Sequence, residues 1–208
     1  MTPIFSPIVE QSERYFAEHG DNNFGVGWPS ADSAEVHYRV ISDLVPRSSS
    51  PVSVLDFGCG LGGLLEYLQR NGRDDIRYTG LDVSDTFLQA VRSKFPQTTF
   101  LQLDILQQSE ALPEFDYILA NGIFTQRCEL SFDDMWAYMQ QLLRLLWPKC
   151  RRGLAFNMMS KHLDWEREDL FHLPMDPLAA FLREHLSRRI VFRHEYGYYD
   201  YTAYVYRS

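Results

Sequence analysis

The chain has 208 residues, 45% hydrophobic and 23% charged, which is the composition of one globular domain and excludes a disordered or fibrous protein. Lys and Arg number 20 against 28 Asp and Glu, so the formal net charge is −8, and a surface of that sign repels a nucleic-acid backbone. The apolar runs are only strand length, which argues against a membrane span, and the start MTPIFSPIVEQSERYF carries acids where a signal peptide needs a basic and then an apolar stretch. Cys59, Cys128 and Cys150 form no CxxC pair, so they read as reduced thiols of a cytoplasmic protein without a structural metal site.

Residues 10–18 read as a short helix with Tyr15 and Phe16 on its apolar side; Gly20, Gly25, Gly27 and Pro29 interrupt the chain after it. A helix is expected over 30–44, because Ser30 can cap it and Val36, Val40, Ile41 and Leu44 recur at helical spacing. Pro46 and residues 48–51 form a polar connector. Residues 52–57 read as a buried strand. A glycine loop follows, then a helix over 61–69 with Leu64, Leu65 and Leu68 inward, ended by Asn71-Gly72. The alternation continues with a strand over 78–82 and a helix from the Ser84 cap to Phe95. Strands are expected over 98–103, 115–120 and 154–158, with a helix over 132–146 before the last of them. A helix near 177–186 and aromatic strands over 190–196 and 201–206 close the chain.

This order predicts an α/β, Rossmann-like fold: seven strands in a mostly parallel sheet with helices on both faces. Gly197-Tyr198-Tyr199-Asp200 is too short for a crossover helix, so the last two strands must form an antiparallel hairpin.

The sharpest local signal is Asp56-Phe57-Gly58-Cys59-Gly60-Leu61-Gly62-Gly63, which leaves a strand and opens a helix. Glycines there let the backbone turn tightly and approach a ligand. Gly58, Gly60 and Gly63 also satisfy GxGxxG, which alone is a weak dinucleotide signature. Asp82 ends the second strand and can accept hydrogen bonds from two ribose hydroxyls of NAD or of an adenosyl ligand. Asp104 and Ile105 follow the third strand, an acid and an apolar residue suited to an exocyclic amine and a ring face.

The segments VLDFGCGLGG, GLDVS, LDI and FDYILANGIF resemble, in order and spacing, those of class I methyltransferases that use S-adenosylmethionine. The match covers residues 52 to about 124, and the terminal hairpin extends it. The resemblance implies that the loop from Asp56 through Gly58, Cys59, Gly60 and Leu61 faces the methionine part of the cofactor. It implies that Asp82 and Val83 hold the ribose end and that Asp104 and Ile105 flank the adenine. Asn121 and Gly122 then lie beside the reactive sulfonium, and S-adenosylhomocysteine is the product. Residues 19–28 and the ending 193–206 resemble a group of small bacterial methyltransferases. That likeness implies a helical lid or cap over 1–46, with Trp28 or Phe24 covering the pocket, ahead of a catalytic core over 52–208.

Asn121-Gly122-Ile123-Phe124 departs from the Asn/Asp-Pro-Pro-aromatic pattern of enzymes that methylate base amines in nucleic acid. A small-molecule acceptor, methylated on nitrogen or oxygen, is therefore expected. Its pocket must come from residues 1–46, 121–131 and 160–175. His162 is the first choice of general base because it follows the fifth strand; Asp164, Glu166, His172, His19 and His37 are the others. The tyrosines between Tyr196 and Tyr206 suit strand packing, and one or two could hold an amine by cation–π contact. The competing readings are a nicotinamide-dependent oxidoreductase and a protein-modifying methyltransferase.

Overall fold

The computed structural model describes residues 3–207, so residues 1–2 and 208, at the ends of the expected cap and core, lie outside the description. The first helix, α1 (Ser6–His19), starts four residues earlier than the sequence suggests. Pro7 sits in its first turn, where a missing N–H costs no helical hydrogen bond. No residue of α1 is fully buried, which is why its apolar face is faint in the sequence. Helix α2 (Ala31–Ser42) begins where expected, with the Ser30 hydroxyl accepting from the Ser33 N–H at 3.0 Å.

The core follows as β1 (Val52–Phe57), α3 (Gly63–Arg70), β2 (Ile76–Asp82), α4 (Asp85–Lys94) and β3 (Thr99–Gln102). After α5 (Ile105–Gln108) come β4 (Phe115–Ala120), α6 (Phe132–Leu146), β5 (Cys150–Met159), α7 (Met175–His185), β6 (Ile190–Arg193) and β7 (Asp200–Tyr206). The short α5 is not foreseen by periodicity. Asp104 creates it by accepting the Leu106 N–H at 2.9 Å as an N-cap. Strand β5 is longer than expected because it pairs with β7 from Gly153 to Met159.

Among the described residues the seven strands form one sheet in the order β3-β2-β1-β4-β5-β7-β6. The first five are mutually parallel, and β7 runs antiparallel between β5 and β6. Side chains alternate across the sheet. Val54, Leu119, Ala155 and Tyr204 face one side and pack on Ile41 of α2 and Leu64 and Leu68 of α3. Leu55, Ile118, Leu154 and Val205 face the other and meet Met139 and Leu143 of α6 and Leu178 of α7. Each buried Leu, Ile, Val or Met among them contributes about 1.5–3 kcal/mol by leaving water, so both faces are firmly covered. The strand order reverses between β1 and β4, and the crevice beyond their C-terminal ends is where this class of sheet forms its site.

Candidate active site

The turn after β1 is shaped by its glycines. Gly58 has φ +77°, and a Cβ there would lie 1.9 Å from the Ile123 side chain. The N–H groups of Gly58 and Cys59 donate to the Leu81 carbonyl at 2.7 and 3.0 Å, which clamps the loop to the end of β2. Asp82 accepts from the Gly60 N–H at 2.9 Å through one oxygen and from the Ser84 N–H at 3.0 Å through the other. The loop therefore presents an arch of backbone held by one buried carboxylate.

Under this arch lies a cavity of about 170 Å³ between the ends of β1, β2 and β4. Asp56, Asp82 and Asn121 bring polar groups to it, and Phe87 and Tyr138 bring rings. Ile8, Val9 and Ser12 of α1 cover it together with Val26 and Trp28. Glu13 accepts from the Ser84 hydroxyl at 2.6 Å, and the Phe16 and Phe87 rings lie 5.7 Å apart, which fastens α1 to α4.

Burial pushes the Asp56 carboxyl up to about 7; the Tyr78 hydroxyl donating at 2.6 Å opposes this, and the charge of Asp82 adds to it. Burial also raises Asp82, although amide donors from Ser84 and Gly60 hold its ionised form. Two buried carboxylates thus face one small cavity. The side-chain nitrogen of Asn121, Nδ2, is buried there and is the one such side-chain atom without a hydrogen-bond partner among the described residues. A cationic ligand with hydroxyls and a hydrogen-bond acceptor would satisfy this set.

A second cavity of about 390 Å³ adjoins the first, and Trp28 lines both. Its walls come from Tyr15, Pro29, His37, Gln126, Met159, residues 163–165, Arg167, His172 and residues 198–200. Between the two runs a closed circuit of contacts. The Gly122 N–H donates to Asn157 Oδ1 at 2.7 Å, and Asn157 Nδ2 donates to Asp200 at 2.9 Å. Asp200 holds His37 Nε2 at 2.9 Å, and the His37 ring stacks on Trp28 at 4.5 Å. Trp28 returns to Gly122, where a Cβ would lie 3.8 Å from the indole. The other ring nitrogen of His37 faces the Ser33 carbonyl at 2.6 Å. Both ring nitrogens of His37 are therefore engaged.

The site can now be compared with known proteins. A family model described as a methyltransferase domain matches residues 54–149. The Mycobacterium tuberculosis protein Rv1506c, a methyltransferase by name, is 34% identical over 167 residues, covering 77% of this chain and 96% of the relative. The chain belongs to the class I S-adenosylmethionine-dependent methyltransferases. Among solved structures, magnesium protoporphyrin IX methyltransferase from Synechocystis, with bound S-adenosylmethionine, superposes with a TM-score of 0.63. That match covers 98% of this chain and 92% of that one at 16% identity. The plantazolicin methyltransferase BpumL gives 0.63 at 16% identity, over 99% and 94% of the two chains. These two likenesses are of fold.

In this methyltransferase the first cavity gathers Trp28, Asp56, Gly58, Cys59, Gly60, Leu61, Asp82, Val83, Asn121 and Gly122. Asp104 and Ile105 do not line it: Asp104 is spent on capping α5, and Ile105 is buried in the core. Tyr138 of α6 stands on that side instead. Phe24 is 52% exposed and lines neither cavity, so of the two expected cover residues only Trp28 is in place.

His162 is also exposed and lines neither cavity. His37 and His172 line the second, but both are committed. His172 donates from Nδ1 to the Ser160 carbonyl at 2.8 Å and accepts the Arg167 N–H at Nε2 at 3.3 Å. Glu166 is paired with Lys161, and His19 is exposed. Asp164 alone among the other proposed bases lines the second cavity with an unpaired side chain. Sequence reasoning missed the covering residues of α1 and the role of Asp200. Pro7 followed by Ile8 and Val9 was the signal for the first; Asp200 offers none, because its partners lie 43 and 163 residues away.

Proposed function

We propose that this methyltransferase carries a methyl group from S-adenosylmethionine to a nitrogen or oxygen of a small molecule seated in the second cavity. The observation that carries this reading is the shared wall: Trp28 lines both cavities, and Asn121-Gly122 lies beside it. The residues of the first cavity fit the cofactor. Asp56 suits the ammonium of its methionine end, Asp82 its ribose hydroxyls, and the open arch at Gly58 to Gly60 its backbone approach. Val83, Phe87 and Tyr138 flank the adenine end. Asn121 Nδ2, unpaired and buried, meets the region beside the sulfonium.

S-adenosylmethionine, when bound, supplies a methyl group on sulfur with a neutral leaving group. The chain's own task is then mainly to orient a nucleophile in line and exclude water. The circuit from Gly122 through Asp200 and His37 to Trp28 fixes the wall that sets this orientation. Both ring nitrogens of His37 and of His172 already have partners within the chain. Helix α1 and residues 24–28 act as the lid. The three unpaired cysteines suit a cytoplasmic enzyme, and no described helix is long and apolar enough to cross a membrane. The test is transfer of labelled methyl from S-adenosylmethionine into a fractionated cell extract. Label in the small-molecule fraction is expected; label in protein alone would overturn the reading.

A further inference from the structure

The acidic and basic side chains of the second cavity are unevenly partnered. Of its basic side chains, Arg167 is tied to both oxygens of Asp169, at 3.0 and 2.5 Å. His37 is tied to Asp200, as described above. His172 has both ring nitrogens engaged. Asp164 has no hydrogen-bond or ion-pair partner among the described residues, and it is exposed at the cavity mouth. Among the described residues, the one acidic or basic side chain lining this space without a partner is therefore a carboxylate.

Aromatic rings surround the same mouth. Trp165 is 71% exposed and Tyr199 63% exposed, both lining the cavity beside Asp164. Two large exposed rings lining one cavity are the kind of apolar patch that marks a binding site. Deeper in, Tyr198 is half-buried with its ring 5.0 Å from His37, and Trp28 forms the wall toward the first cavity. Aromatic faces with a single free carboxylate form the recognition chemistry of an organic cation.

We propose that the acceptor carries an ammonium or quaternary ammonium group, held at the mouth by Asp164 and the faces of Trp165 and Tyr199. This rests on the second cavity being the acceptor site. The cation is the handle and not the methylated atom, because the mouth lies on the solvent side of the cavity and the cofactor cavity lies behind Trp28. The acceptor is thus a molecule with two ends, a positive one outward and a nucleophilic nitrogen or oxygen inward.

The test uses the full chain loaded with S-adenosylhomocysteine, followed by tryptophan fluorescence or calorimetry. The probes are benzyltrimethylammonium, benzyl alcohol and benzoate. The cation should bind about tenfold tighter than the neutral and anionic probes, and Asp164→Asn should remove most of that preference. Trp165→Ala should weaken the cation more than benzyl alcohol. Equal binding of the three probes, tighter binding of benzoate, or an unchanged preference in Asp164→Asn would overturn the inference. Failure of S-adenosylhomocysteine to bind in the same cell would instead bring down the cofactor assignment, and this inference with it.

Discussion

The first cavity is built around the ends of β1, β2 and β4 and the turn from Phe57 to Gly63, with α1, Val26, Trp28, Tyr38, Phe87 and Tyr138 closing it, whereas no residue of that turn lines the second. In the first, the backbone does most of the work: Gly58, Cys59 and Gly60 are fixed by bonds to Leu81 and Asp82. In the second, side chains do it, and they are held by one buried circuit centred on Asp200. A cofactor common to many enzymes suits the rigid, local construction. An acceptor particular to one enzyme suits walls that can change residue by residue without touching the sheet.

The largest effect that would sharpen this contrast comes from Asp200→Ala. It leaves His37 buried without its partner and should cost about 3–5 kcal/mol of folding stability. Urea unfolding measures it. An unchanged midpoint would show that the circuit does not hold the second cavity together. Next is Asp82→Ala, which removes the acceptor of two backbone amides and, in the proposed reading, of the ribose. Losing a charge-assisted hydrogen bond costs about 1.5–3 kcal/mol, tenfold or more in affinity for S-adenosylhomocysteine by calorimetry. Binding of acceptor-site probes to the loaded variant should change little, and an equal loss at both cavities would erase the distinction.

A subtler test concerns pH. Asp56 rises from 3.8 to about 7 in the folded chain, chiefly by burial. Between about pH 4 and about pH 7 the folded state therefore keeps a proton that the unfolded state has released. Stability must fall as pH rises through that window and level off above it. Asp82, also raised by burial, acts in the same direction. Asp56→Asn should flatten part of this slope in thermal melts taken across the window; a slope identical to the parent would contradict the assignment. The smallest effect is expected from His162→Ala. An exposed side chain lining neither cavity should alter stability by at most about 0.5 kcal/mol, with turnover little changed. A large loss of turnover with normal cofactor binding would restore His162 as a base.

The same contrast explains what the sequence revealed. The glycine loop and Asp82 are legible because their residues lie within one strand, loop and helix unit, where spacing alone fixes geometry. The hairpin was legible from the short link at residues 197–200, the last of which opens β7. His162 lines neither cavity, because strand position says where a residue leaves the sheet but not which way the loop over residues 160–174 then turns it. Asp104 caps α5 because a carboxylate at a helix start finds its own backbone amide, a local event that spacing alone does not reveal. Asp200, His37 and Asn157 meet only after β7 inserts between β5 and β6, and no local pattern records that event.

The central claim is that the cavity under the glycine loop holds S-adenosylmethionine and its product. Calorimetric titration of the full chain with S-adenosylhomocysteine, with NAD as the control, tests it most directly. Micromolar binding of the first and none of the second is the predicted result. Binding of NAD, or of neither, would contradict it.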